Sequence, residues 1–130
     1  MLLPGYTVSY VEKYPTQLRQ GIEALNWVIS NQNKKPSDVV LAGDSAGGNM
    51  VLAMLSHMLH PHPDVSEQVT LSEPLAGAVL VSPWTKFGTD DDSVKRNATS
   101  DMIPPQAALR WSSQFLGTPL LLTVASFYHS

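Results

Sequence analysis

The sequence contains no cysteine, which excludes a disulfide framework and thiolate metal ligands. It also lacks a long apolar run, since no stretch approaches the roughly 18 residues that a membrane-spanning helix requires. Positive charge is sparse: Lys and Arg number 8 against 11 Asp and Glu, a net charge of −3 that argues against a nucleic-acid-binding surface. Met1–Gly5 lacks the basic segment of a signal peptide, so we expect a cytoplasmic protein.

Hydrophobic residues make up 43% of the 130 residues, and their spacing changes along the chain between strand-like and helix-like patterns. Three short apolar or alternating stretches predict strands, at Tyr6–Tyr10, Val39–Ala42 and Ala76–Val81. Apolar steps of three and four predict helices that begin at Pro15, at Asn49 and at Pro104-Pro105. The second of these helices is apolar nearly all round and is expected to be buried, and the third is expected to end at Gly117.

This alternation favours an α/β fold, with a partial sheet of three or four mostly parallel strands and helices packed on both faces. We assign residues 1–117 to that domain and residues 118–130 to a divergent C-terminal tail. A sheet this small would expose apolar faces, so association with a partner through those faces is expected.

A pattern with chemical meaning lies where the second predicted strand ends and a helix begins. The segment Gly43-Asp44-Ser45-Ala46-Gly47 matches G-x-S-x-G, the nucleophile elbow, in which a sharp turn lifts a strained serine hydroxyl above the sheet. Glycines two residues before and after Ser45 would let strand and helix approach, and the Ala46 N–H would face a developing oxyanion. The alternative is a glycine-rich turn with an incidental serine; a phosphate-binding loop is disfavoured because no G-x-x-x-x-G-K pattern is present.

The longer segment Gly43–Asn49, GDSAGGN, resembles the signature of the hormone-sensitive-lipase-like branch of the α/β-hydrolase family. Tyr14-Pro15 before it and Ser82-Pro83-Trp84 after it are similar to segments that flank the elbow in that family. The resemblance implies a carboxylic-ester hydrolase that acts on small-molecule esters through an acyl-enzyme, with no metal or organic cofactor.

The same resemblance implies a role for particular residues. Ser45 would be the nucleophile, the Ala46 backbone N–H would donate to the oxyanion, and Trp84 would lie near the acyl pocket. The structure of the elbow itself would depend on four further residues, Gly43, Asp44, Gly47 and Gly48.

Other parts of the family pattern are not found in these residues. The His-Gly-Gly-Gly loop that completes the oxyanion hole has no counterpart before Tyr6, and the triad acid and histidine are expected after Gly117. His57 and His60 lie on the helix that follows Ser45, and His62 is in a proline-flanked turn. His129 is in the right order but is the penultimate residue. We therefore expect an incomplete family member with little or no activity as this chain.

Two other functions remain open on the sequence alone. A hydrolase-derived chain without a complete triad could act as a non-catalytic binding or interaction module. The same elbow could also serve the cleavage of thioesters or amides, which proceeds through the same acyl-enzyme.

Overall fold

The computed structural model describes residues 1–119. Its elements, in chain order, are helix α1 (Thr16–Asn31), strand β1 (Val40–Asp44), helix α2 (Ala46–Leu59), strand β2 (Gly77–Val81), helix α3 (Asp92–Asn97) and helix α4 (Pro105–Leu116). A short 3₁₀ turn at Pro36–Asp38 precedes β1. None of the helices in residues 1–119 combines the length and apolar composition that crossing a bilayer requires.

The chain forms two compact units, of which the first comprises Met1–Thr7 and Pro15–Thr85. In this unit β1 and β2 pair in parallel, from Val40 opposite Gly77 to Asp44 opposite Val81. Helix α2 connects them and packs against both strands. The α/β class predicted from the sequence is thus confirmed, with two paired strands among the described residues where three or four were expected.

The hydrophobic core of the first unit lies between α1 and α2. Leu18, Ile22 and Leu25 are buried along one face of α1, at the three- and four-residue spacing that predicted this helix. Val51 and Met54 are buried on α2. The helices approach closely because Gly21 has no side chain: a Cβ built there would lie 2.9 Å from the Met54 sulfur.

The strand predicted at Tyr6–Tyr10 is wrong, because residues 1–8 have no regular structure and a turn follows at residues 9–11. The Thr7 N–H donates to the Gln20 side-chain oxygen at 2.8 Å, and the Gln17 side-chain amide donates to the Thr7 carbonyl at 2.9 Å. Both backbone groups that a neighbouring strand would have paired are thus satisfied by side chains of α1. The divergent tail assigned to residues 118–130 lies outside the described residues from residue 120 onward.

Burial of the sheet and of α2 is less complete than their sequences predict. Helix α2 lies on the side of the sheet that carries Leu41, Gly43 and Leu80, since a Cβ on Gly43 would point into its first turn. The opposite face is apolar and half exposed, at 53–54% for Val40, Val79 and Val81. Leu59 of α2 is 76% exposed. Within this unit, part of the apolar surface of the sheet and of α2 therefore remains exposed to solvent.

The second unit comprises Val8–Tyr14 and the described residues from Lys86 onward. The Tyr14 N–H donates to the Phe115 carbonyl at 2.9 Å, and the two rings have centroids 5.3 Å apart. Helix α4 ends at Gly117, which has a left-handed φ of 71°, as predicted for a glycine C-cap.

Asp90 and Asp91 lie 3.0 and 2.9 Å from the Lys86 ammonium, and hydrogen bonding to Lys86 lowers the pKa of Asp90.

Candidate active site

Ser45 occupies the junction between β1 and α2 with a backbone conformation that few residues other than glycine adopt. Its φ is 51° and its ψ is −114°. A conformation of this kind costs about 1–3 kcal/mol and persists only when neighbouring contacts enforce it. The Ser45 N–H donates to the Val81 carbonyl at 3.0 Å, which extends the parallel ladder one residue beyond Asp44. Ser45 is exposed, so the turn presents its side chain at the carboxyl edge of the sheet.

A close backbone approach at Gly43 makes this turn possible. A Cβ at Gly43 would lie 2.3 Å from both the carbonyl carbon and the carbonyl oxygen of Gly47, so any side chain there would force β1 and α2 apart. The expected steric need for glycine two residues after Ser45 is wrong, because a Cβ at Gly47 would meet nothing within 4 Å. The asymmetry arises because the Gly47 backbone faces Gly43, whereas its own Cβ direction points into open space.

Gly48 is the second position of the elbow at which space is restricted. A Cβ there would lie 2.9 Å from the Pro83 Cβ and 3.2 Å from the Gly43 carbonyl oxygen. Pro83 belongs to the turn Ser82–Trp84, which follows β2. The sequence motif places glycine at position 48 but gives no indication that it is needed for contact with a segment 35 residues away. Only the parallel pairing of β1 with β2 brings the two turns together.

Two backbone groups fix the Ser82–Trp84 turn to the elbow. The Ser45 carbonyl accepts hydrogen bonds from the Asn49 N–H and from the Trp84 N–H, each at 3.0 Å. The Asn49 side-chain amide donates to the Trp84 carbonyl at 2.9 Å. Trp84, which the family resemblance associates with the acyl pocket, is therefore attached directly to the serine turn. Sequence reasoning missed the roles of Asn49 and Pro83, which depend on this contact between distant segments.

The Ala46 N–H, predicted from the sequence to donate to an oxyanion, directly follows Ser45 in the chain. Ala46 is the first residue of α2, and the first amides of a helix have no intrahelical acceptor. The Ser45 N–H is already bonded to Val81, so it is not available for this purpose. The helix N-terminus also carries partial positive charge, which favours a negatively charged oxygen there.

His57 and His62 of the first unit form hydrogen bonds with groups other than Ser45. His57 is buried, and its Nδ1 accepts the His62 N–H at 2.9 Å. Its Nε2 must then carry the proton, and it lies 2.8 Å from the Glu67 carbonyl oxygen. The His62 Nδ1 accepts the Asp64 N–H at 3.1 Å. These bonds tie the end of α2 to the following loop, a structural role; His129 lies outside the described residues.

Metal chemistry has no candidate ligand cluster in the described part of the chain. Among residues 1–119, no three side chains of His, Asp or Glu converge to hold a metal ion. The chemical groups gathered at the carboxyl edge of the sheet are a serine hydroxyl, a helix N-terminal amide and a tryptophan-bearing turn.

Hydrolases built on a nucleophile elbow share a strained serine between a parallel strand and a helix. In this chain Ser45 has that position, and the strand and helix approach closely at Gly43 and Gly47. The profile of the alpha/beta hydrolase fold family matches residues 1–125, and the chain belongs to that family. The resemblance drawn from GDSAGGN is thus confirmed.

Curated relatives are similar to this chain at low identity. It is 31% identical over 88 residues, 65% of its length, to Steryl acetyl hydrolase 1 of Saccharomyces cerevisiae, and spans 18% of that protein. It is 25% identical over 117 residues, 90% of its length, to Putative acetyl-hydrolase LipR of Mycobacterium tuberculosis, and spans 35% of it. It is 24% identical over 119 residues, 88% of its length, to Arylacetamide deacetylase of Bos taurus, and spans 28% of that protein. The chain therefore corresponds to a minor part of each relative.

Proposed function

We propose that this chain carries the nucleophile region of a serine carboxylic-ester hydrolase, with Ser45 as the nucleophile. The observation that supports it most is the positive φ of Ser45 at the strand–helix junction. Glycine would cost less in this conformation, and Ser45, unlike Ser82, which also has a positive φ, directly precedes the N-terminus of a helix. Family membership supports the same hydrolase chemistry.

In the proposed reaction, the Ser45 hydroxyl oxygen attacks the ester carbonyl carbon while a base takes the hydroxyl proton. The carbonyl oxygen becomes an oxyanion that accepts a hydrogen bond from the Ala46 N–H. Collapse of this intermediate expels the alcohol, which receives the proton, and leaves the acyl group on Ser45. Water then attacks the acyl-enzyme in the same way and releases the acid.

Short acyl groups are the proposed substrate class. Two relatives, in yeast and in Mycobacterium tuberculosis, have names that refer to acetyl hydrolysis. The family resemblance associates Trp84 with the acyl pocket, and the bond from the Trp84 N–H to the Ser45 carbonyl brings its main chain to the nucleophile turn. A second candidate is the cleavage of acetamides, which the name of the bovine relative favours.

Catalysis by the 130-residue chain alone is proposed to be very weak. The ring nitrogens of His57 are occupied by Glu67 and His62, and no histidine of residues 1–119 is bonded to Ser45. In a serine protease, removal of the histidine base lowers kcat by a factor on the order of 10⁶. We expect the chain to hydrolyse p-nitrophenyl acetate little faster than buffer does, whereas robust Ser45-dependent turnover would contradict this and direct attention to His129 or to a partner chain.

Covalent labelling tests the nucleophile itself. The chain is incubated with a fluorophosphonate and the adduct is located by peptide mass spectrometry, with Ser45→Ala and the urea-unfolded chain as controls. We expect slow labelling of the folded chain at Ser45 and its loss in both controls. A folded chain without an adduct at Ser45 would support a non-catalytic module, and equal labelling of the unfolded chain would show that the elbow contributes nothing.

A further inference from the structure

Both backbone polar groups of Ser45 are bonded to the segment that follows β2. The Ser45 N–H donates to the Val81 carbonyl, and the Ser45 carbonyl accepts from the Trp84 N–H, each at 3.0 Å. The second bond is additional to the ordinary helical one, in which the same carbonyl accepts from the Asn49 N–H. Main-chain groups at residues 81–84 therefore help to hold Ser45 in its strained conformation.

The Ser45 carbonyl belongs to the same peptide group as the Ala46 N–H. A trans peptide group is planar, so its carbonyl oxygen and its amide hydrogen point in opposite directions. The two donors that fix the direction of the Ser45 carbonyl therefore also fix the direction of the Ala46 N–H. Hydrogen bonds accepted by the carbonyl also polarise the peptide group, which makes its N–H a stronger donor.

The Asn49 side chain holds the residue that supplies the second of these donors. Its amide nitrogen donates to the Trp84 carbonyl at 2.9 Å, in a partly buried position. Ser82, at the start of the same turn, has a φ of 42°, which a non-glycine residue holds only under external constraint. A Cβ at Gly48 would lie 2.9 Å from the Pro83 Cβ, so the turn also lies directly against α2.

We propose that Asn49 is a positioning residue that directs the Ala46 N–H toward the oxyanion. It does so by keeping the Trp84 N–H on the Ser45 carbonyl, and it acts through the peptide group and not on the ester. This inference rests on the proposed function, since the oxyanion belongs to that reaction. An N–H that points away from the developing charge stabilises it less, so the rate of attack by Ser45 should depend on Asn49.

Substitution by leucine removes the side-chain donor without adding a charge near the oxyanion. Asn49→Leu keeps the number of side-chain heavy atoms, and leucine favours a helix more than asparagine does, so α2 should not be weakened. Asn49→Ala is a second variant, which removes the donor and leaves no branched side chain to accommodate. Asn26→Leu is the matched control, because the Asn26 amide also donates to a backbone carbonyl, that of Gln68, at 3.0 Å.

The first measurement is the rate at which a methyl fluorophosphonate labels Ser45. We expect both Asn49 variants to slow labelling at least about fivefold, the factor that corresponds to the loss of one net hydrogen bond. The effect should stay below about a hundredfold, the smallest cost of removing an oxyanion donor outright. Asn26→Leu should be labelled at the parental rate.

The second measurement is the NMR chemical shift of the Ala46 amide proton before and after labelling. In the parent it should move downfield, because the N–H bonds to the phosphoryl oxygen of the Ser45 adduct. In both Asn49 variants this change should be smaller. A general loss of stability would leave the change intact in the molecules that remain folded.

The results separate the positioning role from the proposed function. If the parent is labelled and the Asn49 variants keep either its labelling rate or its Ala46 shift change, or if Asn26→Leu is slowed as much, Asn49 does not direct the Ala46 N–H. If the parent is not labelled at Ser45, the proposed function fails. Hydrogen exchange of the Trp84 amide then decides the positioning of the peptide group alone: faster exchange only in the Asn49 variants retains it, and parental exchange overturns it.

Discussion

The three glycines near Ser45 should respond to alanine in opposite directions, although the motif treats them alike. At Gly43 the added methyl would lie 2.3 Å from two backbone atoms of Gly47, far inside the 3.5–4.0 Å of a normal carbon contact. Neither atom can rotate away, so β1 and α2 must separate by about 1 Å or more. We expect Gly43→Ala to lower the free energy of unfolding by at least about 3 kcal/mol, the upper part of the range for overpacking.

Gly48→Ala should have an intermediate effect. Its methyl would lie 2.9 Å from the Pro83 Cβ, a side-chain atom of a turn that can shift by a few tenths of an ångström. We expect a loss of about 1–3 kcal/mol. Gly47→Ala meets nothing within 4 Å and lies in α2, so it should raise the free energy of unfolding by about 0.5–1 kcal/mol through the lower backbone entropy of alanine.

Urea unfolding followed by circular dichroism at 222 nm measures all three changes. The order of stability should be Gly47→Ala, parent, Gly48→Ala and Gly43→Ala. If Gly43→Ala leaves too little folded protein, the Gly47 and Gly48 variants still provide the comparison. A loss of stability in Gly47→Ala as large as in Gly48→Ala would refute the strand–helix geometry from which these values were derived.

Two further predictions concern pH and association. Burial raises the pKa of the Tyr14 hydroxyl above its usual value of 10.0, because it disfavours the charged form. The contribution of the neutral Tyr14 side chain to the free energy of unfolding is therefore complete below pH 10.0 and is lost as the pH rises through the folded-state pKa. Urea unfolding at about pH 9 and about pH 11 should show a smaller alkaline loss in Tyr14→Phe than in the parent, and equal losses would contradict the burial. The sheet face that carries Val40, Val79 and Val81, called the valine face, is half exposed and should promote self-association. Val79→Thr should therefore shift the sedimentation coefficient at high protein concentration toward the monomer value. Val11→Thr, at a residue 62% exposed outside the sheet, should not, and an equal effect would exclude the valine face as the contact.

The elements with a strong local signal could be predicted from the sequence. GDSAGGN between an apolar run and a helical pattern identified the strand–turn–helix at Ser45, because the chemistry of an elbow fixes residue types at short spacing. Helix α4 and its end at Gly117 followed from a proline start and a glycine C-cap, which are also local.

Features that depend on distant segments could not be predicted. The alternation at Tyr6–Tyr10 indicated a strand, but side chains from α1 took the place of a pairing partner for Thr7. The exposure of Val79 depends on what covers the sheet, and an apolar run carries no such information. The bond from Asn49 to Trp84 spans 35 residues and exists only because two parallel strands end at the same edge.

The most direct test of the central claim compares Ser45 with Ser82 in the same molecule. Both serines are exposed, follow adjacent strands and have positive φ, yet only Ser45 precedes a helix N-terminus with a free first amide. Site-resolved mass spectrometry after fluorophosphonate treatment gives the ratio of their labelling rates. We expect Ser45 to react at least about tenfold faster, the factor that corresponds to ~1.4 kcal/mol of oxyanion stabilisation. Equal rates, or faster labelling of Ser82, would contradict the assignment of Ser45 as the nucleophile.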